Sequence, residues 1–400
     1  MKTKSESAIT VALHWPRYGP YHSARLHAAY TRLNPLGFNV VGLETTESDD
    51  IYSWRKESAT TAFKRFVAIP SETYEHVGLW RVWYRVSIAL NKINPHAVLI
   101  SGYSTPDAWS ALSWCRLRRR VAILMSDSKQ DDMHRVVWKE NLKRTLIHQF
   151  DGALCAGKPH RAYLELLGMK SDKIFEGYDA VDNDFFSRGA EKAKRNPTAY
   201  RSLPGLGVDT PYFLASARFI KEKNLQGLLN AYGRYRKRAC ENEKTQTPWR
   251  LVLLGDGVER GKLEHFVNYH NISGVTFSGF RQIEELPIYY GLGRVFLHSA
   301  RKDTWGLVVN EAMASGLPVL VSNRCGCVAD LVVEGENGYT FSPDNPTELA
   351  ELMLRMSSSD VDLETMGESS RRRIRYWGLE RFAGALEDAL RVAMQRRHFT

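Results

Sequence analysis

Cysteine is scarce in this chain: five residues in 400, Cys115, Cys155, Cys240, Cys325 and Cys327, an odd number at scattered positions. A disulfide framework or a zinc-finger spacing needs a regular set, so neither is expected, and reduced thiols fit the cytosol. Cys325-Gly-Cys327 reads as two small buried thiols beside a glycine turn rather than as a metal site. Long apolar runs are also missing. Nothing approaches the roughly 20 residues that span a bilayer, and Met1 to Ser7 runs straight into the apolar Ala8 to Leu13 without room for a signal segment. A cytosolic protein, or one lying on a membrane face, is expected. Extended low-complexity tracts and solenoid-period repeats are absent, which argues against a disordered or a repeat protein. Acidic residues are the minority charge, 45 against 55 basic, giving a formal net charge of +10. That balance predicts an anionic partner: nucleic acid, an anionic lipid surface or a phosphorylated substrate. With no zinc-finger spacing or RNA-recognition motif, a nucleic-acid-binding module ranks last and no nucleic acid is expected as a partner.

What is present is enough for two cores. A chain of 400 residues, 43% of them hydrophobic, exceeds the roughly 250–300 residues at which single cores stop growing. Short β-rich runs at Ile9 to Leu13, Asn39 to Leu43, Phe66 to Ile69, Ala97 to Ile100, Val121 to Met125 and Gly152 to Cys155 alternate with helix-length segments. Strands separated this way imply parallel neighbours joined by helical crossovers, hence an α/β class. A polar stretch over 187–207 lacks a sustained apolar face and is the best linker. The alternation then resumes at Tyr212 to Ser216, Arg250 to Leu254, Val275 to Ser278, Val295 to His298, Pro318 to Ser322 and Gly338 to Phe341, with helices expected near Leu225 to Arg238 and Asn310 to Ser315. The expected organisation is two Rossmann-like doubly wound domains, 1–186 and 208–376, facing across a cleft at the carboxyl ends of their sheets. A closing amphipathic helix in 377–400, with Phe382, Leu386, Leu390 and Val392 as its apolar set, packs back toward the first domain.

The passage richest in chemistry is Ser299-Ala-Arg-Lys-Asp303-Thr304-Trp305-Gly306-Leu307-Val308-Val-Asn-Glu311-Ala-Met-Ala-Ser-Gly-Leu-Pro318. Two carboxylates, eight positions apart, bracket a loop and the start of a helix. Carboxylate oxygens accept several hydrogen bonds at once and so suit paired sugar hydroxyls. Between them, backbone amides at a helix N-terminus favour a phosphate, and glycine permits close approach. The physical reading is a site for a nucleoside diphosphate sugar, with Asp303 toward the transferred sugar, the 304–308 backbone on the pyrophosphate and Glu311 toward the ribose. The bland reading, two solvated or capping acids, competes evenly on spacing alone. Arg218 and Lys223, in one strand-to-helix loop, pair a guanidinium fork with a mobile ammonium and could neutralise a leaving diphosphate without a metal. Taken by itself, that loop would read as a solvated turn. The turns Gly255-Asp256-Gly257 and Gly279-Phe280-Arg281 sit where a base or ribose could lodge, and equally serve as ordinary turns.

The Asp303 to Glu311 passage resembles the E-x7-E signature of the retaining GT-B glycosyltransferases of family GT4, the glycosyl transferases group 1. The resemblance runs from Gly255-Asp-Gly257 through Ser299 to Pro318, Glu334-Gly-Glu-Asn-Gly338-Tyr and Pro343-Asp-Asn, nearly all of the second domain. It implies that Arg218, Lys223, Asp303 and Glu311 are the catalytic set, that 208–376 binds the donor and 1–186 the acceptor, and that a hexosyl group moves with retention. No cofactor or metal is expected. One departure is Asp303, where the family has Glu, which shortens the reach by one methylene. In the first half, Tyr178-Asp-Ala-Val-Asp182-Asn-Asp-Phe-Phe186 is similar to the family's interdomain stretch, but the usual glycine-rich loop is reduced to Gly19 and the usual donor-contacting His is absent. Asp127 is a candidate substitute, or else a helix cap or turn residue. Arg116, Arg118 to Arg120, Lys139, Lys143 and Arg144, with Trp80-Arg-Val-Trp83-Tyr84-Arg85, mix cations and aromatics as at a lipid headgroup boundary. A solvated basic helix face is the competing explanation. The preferred acceptor is a lipid-linked oligosaccharide or polysaccharide precursor, with the protein peripheral on the cytoplasmic membrane face. A nucleotide-sugar epimerase of similar build would hold the same donor but turn over without an acceptor.

Overall fold

The computed structural model describes residues 9–48, 50, 54–55, 63–132, 135–207, 210–241 and 247–396. Met1 to Ala8 and the last four residues of the C-terminal segment therefore lie outside the described residues. The chain folds as two compact units, 1–181 with 377–400, and 182–376.

The first unit runs β1 (Ile9–Trp15), α1 (Pro20–Leu33), β2 (Phe38–Ser48), β3 (Arg65–Thr73), α2 (Leu79–Ile93), β4 (Ala97–Ser101), α3 (Pro106–Leu117), β5 (Val121–Ser126), α4 (Val137–Ile147), β6 (Gly152–Cys155), α5 (Lys158–Leu166) and β7 (Ile174–Glu176). Among the described residues its seven strands lie in the order β3-β2-β1-β4-β5-β6-β7 and pair in parallel. Because side chains alternate across a strand, Ala12, Val98 and Leu124 join one core, and Val11, Leu13, Leu99 and Ile123 join the other. Both faces are covered, which explains the near-continuous apolar runs.

The second unit runs α6 (Asn183–Arg195), β8 (Tyr212–Ser216), α7 (Leu225–Glu241), β9 (Arg250–Leu254), α8 (Arg260–Tyr269), β10 (Val275–Gly279), α9 (Leu286–Leu292), β11 (Val295–His298), α10 (Leu307–Ala314), β12 (Val319–Ser322), α11 (Val328–Leu331), β13 (Gly338–Phe341), α12 (Pro346–Met356) and α13 (Leu363–Ile374). The last helix, α14 (Leu379–Arg396), returns to the first unit, where it packs on α1, β5, β6 and β7. Phe382, Leu386 and Leu390 are buried there as expected, whereas Val392 is half-buried and Ala393 and Met394 complete the stripe.

Residues 187–195, read above as part of a linker, lie instead within α6. Asp182 caps this helix by accepting from the Phe185 amide at 2.9 Å, a contact worth about 1 kcal/mol. Phe186, Ala190 and Ala193 are buried, and the helix packs on α9 and α10. The small alanines and the charged outer face hid the apolar stripe in the sequence. The division between units falls at 181/182, five residues earlier than the expected domain end at 186.

In the second unit the strand order is β10-β9-β8-β11-β12-β13. The order reverses between β8 and β11, and such a switch point opens a crevice at the carboxyl ends of the strands. The loops leaving β8 and β11 carry Arg218 and Lys223, and Asp303, respectively.

Candidate active site in the second unit

Lys223 ends a short 3-10 turn, and the next residue, Asn224, takes a left-handed conformation (φ 52°) that aims the chain into α7. Asn224 is buried and donates to the Ser299 and Pro343 carbonyls at 3.3 and 2.9 Å. The Ser299 hydroxyl returns a bond to the Lys223 carbonyl at 3.0 Å. These contacts hold the β8 and β11 loops together, and the Lys223 ammonium meets the Asp303 carboxylate, Nζ to Oδ2, at 2.5 Å.

His298, the last residue of β11, is buried and lies 2.8 Å from the same Oδ2. Burial works against its protonation, but the neighbouring Cys325 and the Asp303 carboxylate outweigh that and raise its pKa to about 9. Burial likewise opposes charge on Asp303, yet His298 and Lys223 hold it well below the ordinary carboxylate range. Burial opposes ionisation of Cys325, but the Cys327 thiol and His298 bring it down to about 6, while burial pushes Cys327 well above the usual thiol range. The site is thus a half-buried carboxylate flanked by two cations, with a thiol pair beneath it.

The Asp303 loop is fixed from below by the turn at 325–327. Asp303 and Cys325 form an isolated parallel bridge. The Gly326 amide donates to the Asp303 carbonyl at 3.1 Å and the Cys327 amide to the Trp305 carbonyl at 3.0 Å. Gly306 then turns the chain into α10 with φ 98°, a region glycine enters without strain. A Cβ there would also stand 2.6 Å from Cys325 Sγ. Leu307 and Val308 follow in the first turn of α10, half-buried.

Several of the other expected donor residues also hold the structure together. Trp305 is buried, and its indole donates to Asn310 at 2.9 Å; its side chain packs the loop from within. Glu311 is also buried and accepts from the Tyr290 hydroxyl at 2.7 Å. Gly255 and Gly257 have φ of 119° and 154°, and a Cβ on them would strike the Ala217 and Phe219 carbonyl oxygens at 1.8 and 2.7 Å. These glycines let the β9 turn nest against the Arg218 loop, where the Phe219 amide donates to the Asp256 carbonyl at 2.8 Å. Asp256 and Arg218 are exposed, and Thr304 and Phe280 are half-buried. Gly19 and Asp127 belong to the first unit. Gly19 caps α1 with an ordinary φ of −111°, and Asp127 is half-buried in the loop after β5, well before the actual cap of α4, Val136.

Among the described residues, His298, Asp303 and Cys325 are the one group whose donor atoms lie close enough to share a metal, all within 4.8 Å. The Asp303 oxygen in that group already takes Lys223 and His298, and the Lys223 ammonium would repel a cation there. His298 and Cys325 were missed as site residues because each reads as an apolar position: one ends a buried strand, the other sits in a small-residue turn. A histidine closing a central strand just before an acidic loop was the available signal.

Residues 199–373 match the family model described as glycosyl transferases group 1. The chain is 30% identical over 230 residues to alpha-monoglucosyldiacylglycerol synthase of Streptococcus pneumoniae, covering 57% of this chain and 49% of that relative. It thus spans about half the length of this curated relative. Among solved structures, sucrose-phosphate synthase of Thermosynechococcus elongatus superposes with a TM-score of 0.71 at 19% identity, covering 97% of this chain and 100% of the other. Anabaena HepE, solved with UDP and glucose, gives 0.70 at 14% identity over 96% and 99%. At these identities the likeness is one of fold, the GT-B arrangement of two Rossmann-like domains.

Proposed function

From the match of residues 199–373 to the glycosyl transferases group 1 model, we propose that the chain works as a member of that family and moves a hexosyl group from a nucleoside diphosphate sugar to an acceptor hydroxyl with retention at the anomeric carbon. The observation that carries this reading is the meeting of Lys223 and Asp303 at 2.5 Å on the two loops of the sheet's switch point. A cation and a carboxylate side by side suit a ligand that has a diphosphate at one end and hydroxyls at the other.

In this reading Arg218 and Lys223 take the charge that grows on the leaving diphosphate, and the first amides of α10 add hydrogen bonds and the positive helix end. Both bonds recorded for the Asp303 carboxylate fall on Oδ2, so Oδ1 is assigned to a sugar hydroxyl. Glu311 meets the ribose by sharing its carboxylate with Tyr290. Asp256 and Phe280 border the base. With two side-chain cations on the diphosphate, no divalent metal is required.

The acceptor is proposed to be a lipid-linked or polysaccharide precursor at the cytoplasmic membrane surface. On α2, Trp80 is 86% and Tyr84 65% exposed, with Arg81 and Arg85 exposed on the same helix. On α4, Val137 and Trp138 are 78% and 64% exposed, followed by exposed Lys139 and Arg144. Exposed aromatics interleaved with cations fit the headgroup layer of an anionic bilayer. No helix among the described residues is long and apolar enough to cross a membrane. The pneumococcal relative is named for a glycolipid product, which supports the same class of acceptor.

The test is nucleoside diphosphate release across UDP-, GDP- and ADP-sugars, in chelator, with and without lipid extract. Extract-dependent release from one donor, abolished by Lys223→Ala, is the expected result. Release that requires an added divalent ion would overturn the metal-independent reading, and donor conversion without any acceptor would favour an epimerase.

A further inference from the structure

We propose that Cys325 and Cys327 are a modification site: a hydroperoxide joins them in a disulfide, and the bond loosens the Asp303 loop so that the donor binds less tightly. The second half of this rests on the donor-site reading above. Their sulfurs lie 3.5 Å apart, in direct contact, and both residues are buried. Neither is an inert core thiol. Cys325 donates to the Trp305 carbonyl at 2.8 Å, touches the Gly306 turn from below and neighbours the His298 imidazole. Cys327 sits one glycine away with nothing assigned to it in sugar transfer.

The chemistry needs only a hydroperoxide as the oxidant. Cys325, after losing its proton to solvent, is held as a thiolate beside His298, the setting in which a cysteine is a nucleophile. It attacks the terminal peroxide oxygen, the O–O bond breaks, and the other oxygen leaves as an alcohol or water after taking a proton. The Cys325 sulfenic acid so formed is then attacked by the Cys327 sulfur; the S–O bond breaks and its oxygen leaves as water with the Cys327 proton. Two electrons pass from the two sulfurs to the peroxide. Two equivalents of a small thiol reverse the reaction, and a ring closed over one intervening residue favours that reversal because strained disulfides are the labile ones.

The consequence for the donor loop follows from the backbone. Asp303 and Trp305 lie on this turn through the Gly326 and Cys327 amides, and Gly306 packs on the Cys325 sulfur. Drawing the two sulfurs from 3.5 Å to the roughly 2 Å of a disulfide shifts the turn that carries both bonds. It also removes the thiolate that faces His298, leaving that imidazole less able to hold Asp303. By reciprocity, a bound donor protects the thiols.

The full chain, with exposed Cys240 changed to Ser, is treated with hydrogen peroxide and quenched. Three measurements follow: the mass of the peptide that begins at Cys325, amide exchange over 303–308, and UDP, GDP and ADP affinity. The expected result is loss of two hydrogens within that peptide, faster exchange over 303–308, and at least fivefold weaker binding of the preferred nucleotide, all reversed by dithiothreitol. Cys327→Ala, compared with its own untreated form, should form no disulfide after peroxide and keep its exchange over 303–308 unchanged. Absence of the disulfide overturns the proposal, as does a disulfide that leaves exchange over 303–308 unchanged. If reduced protein binds none of the nucleotides, the donor reading fails and with it the affinity claim, while mass and exchange still decide whether the thiol pair acts on the loop.

Discussion

Each of the two sheets buries a histidine near the carboxyl end of a central strand, and the two are held in opposite charge states. In the first unit His14, in β1, lies 3.1 Å from the Thr45 hydroxyl and 3.5 Å from Asp107. Asp107 is already engaged by Thr45 at 3.1 Å and by the Tyr74 hydroxyl at 2.8 Å. Burial dominates there and lowers the His14 pKa against the pull of Asp107. In the second unit His298 closes β11, and a thiol and a carboxylate on the following loops raise it to about 9. Topology is shared; what differs is the residues on the switch-point loops. Fold alone therefore does not locate the chemistry. A buried network whose acid faces only neutral donors stabilises a core, whereas one whose acid faces two cations prepares a charge for a ligand.

The sharpest way to break this contrast is to neutralise the acid in each unit. Asp303→Asn or Lys223→Ala should lower sugar turnover about 10²- to 10³-fold, in line with the loss of one charge-stabilising group. Asp107→Asn should cost stability while leaving nucleotide affinity unchanged; steady-state kinetics and calorimetry separate the two. A comparable fall in nucleotide affinity for the Asp107 variant would erase the distinction.

The glycines offer a second comparison. Gly306→Ala forces a side chain into φ 98° and against Cys325, a combined cost of about 2–4 kcal/mol. For the second unit this is a fall in melting temperature of roughly 5–15 °C. Gly19→Ala in the first unit meets an ordinary φ and a nearest neighbour, Trp54, at 3.6 Å, so its cost should stay within about 1 kcal/mol. Thermal unfolding of the pair tests whether only the former glycine is required by conformation.

Acid should then separate the units. His14 and His22 have lowered pKa values, His22 to about 3, chiefly through burial. A group depressed on folding contributes stability that is complete above its unfolded pKa, about 6.5, and is lost as pH falls below it. Each therefore removes up to about 1.4 kcal/mol per pH unit from the first unit. His298 is already protonated at neutral pH and adds no such loss, whereas Cys325, lowered to about 6, takes a comparable step from the second unit, so two groups act in the first unit against one in the second. Amide exchange at pH 7 and pH 5 should show the strands of the first unit loosening more than β8 and β11. Equal loosening would contradict the assignment.

The smallest expected effect is at the exposed aromatics. Trp80→Ala with Trp138→Ala should weaken retention on anionic vesicles about tenfold, from the lost apolar contact of two indoles, without changing nucleotide affinity. Unchanged sedimentation with vesicles would remove the support for a membrane-bound acceptor.

The strands were legible because both faces of each sheet are buried, so nearly every one reads as an apolar run. The exception is β7 (Ile174–Glu176), three residues at a sheet edge, too short to show a period. Helix α6 was hidden by alanine, which carries little hydrophobic signal. In the site, Asp303, Lys223 and Arg218 stood out by residue type. Their meeting did not, because Lys223 and Asp303 are 80 positions apart and only the β8–β11 adjacency joins them. Glu311 and Trp305 were legible as members of the passage but not as buried residues, since helix α10 is apolar on most sides. The glycines of the β9 turn read as ligand contacts, and the structure gives them a packing reason that spacing cannot supply.

Amide hydrogen exchange of the full chain with and without the preferred nucleoside diphosphate reads both switch points at once. Protection should concentrate in 217–223 and 303–308, with the first unit's corresponding loops, 16–19 and 102–105, little changed. Protection confined to those first-unit loops would contradict it and move the donor site to the other sheet.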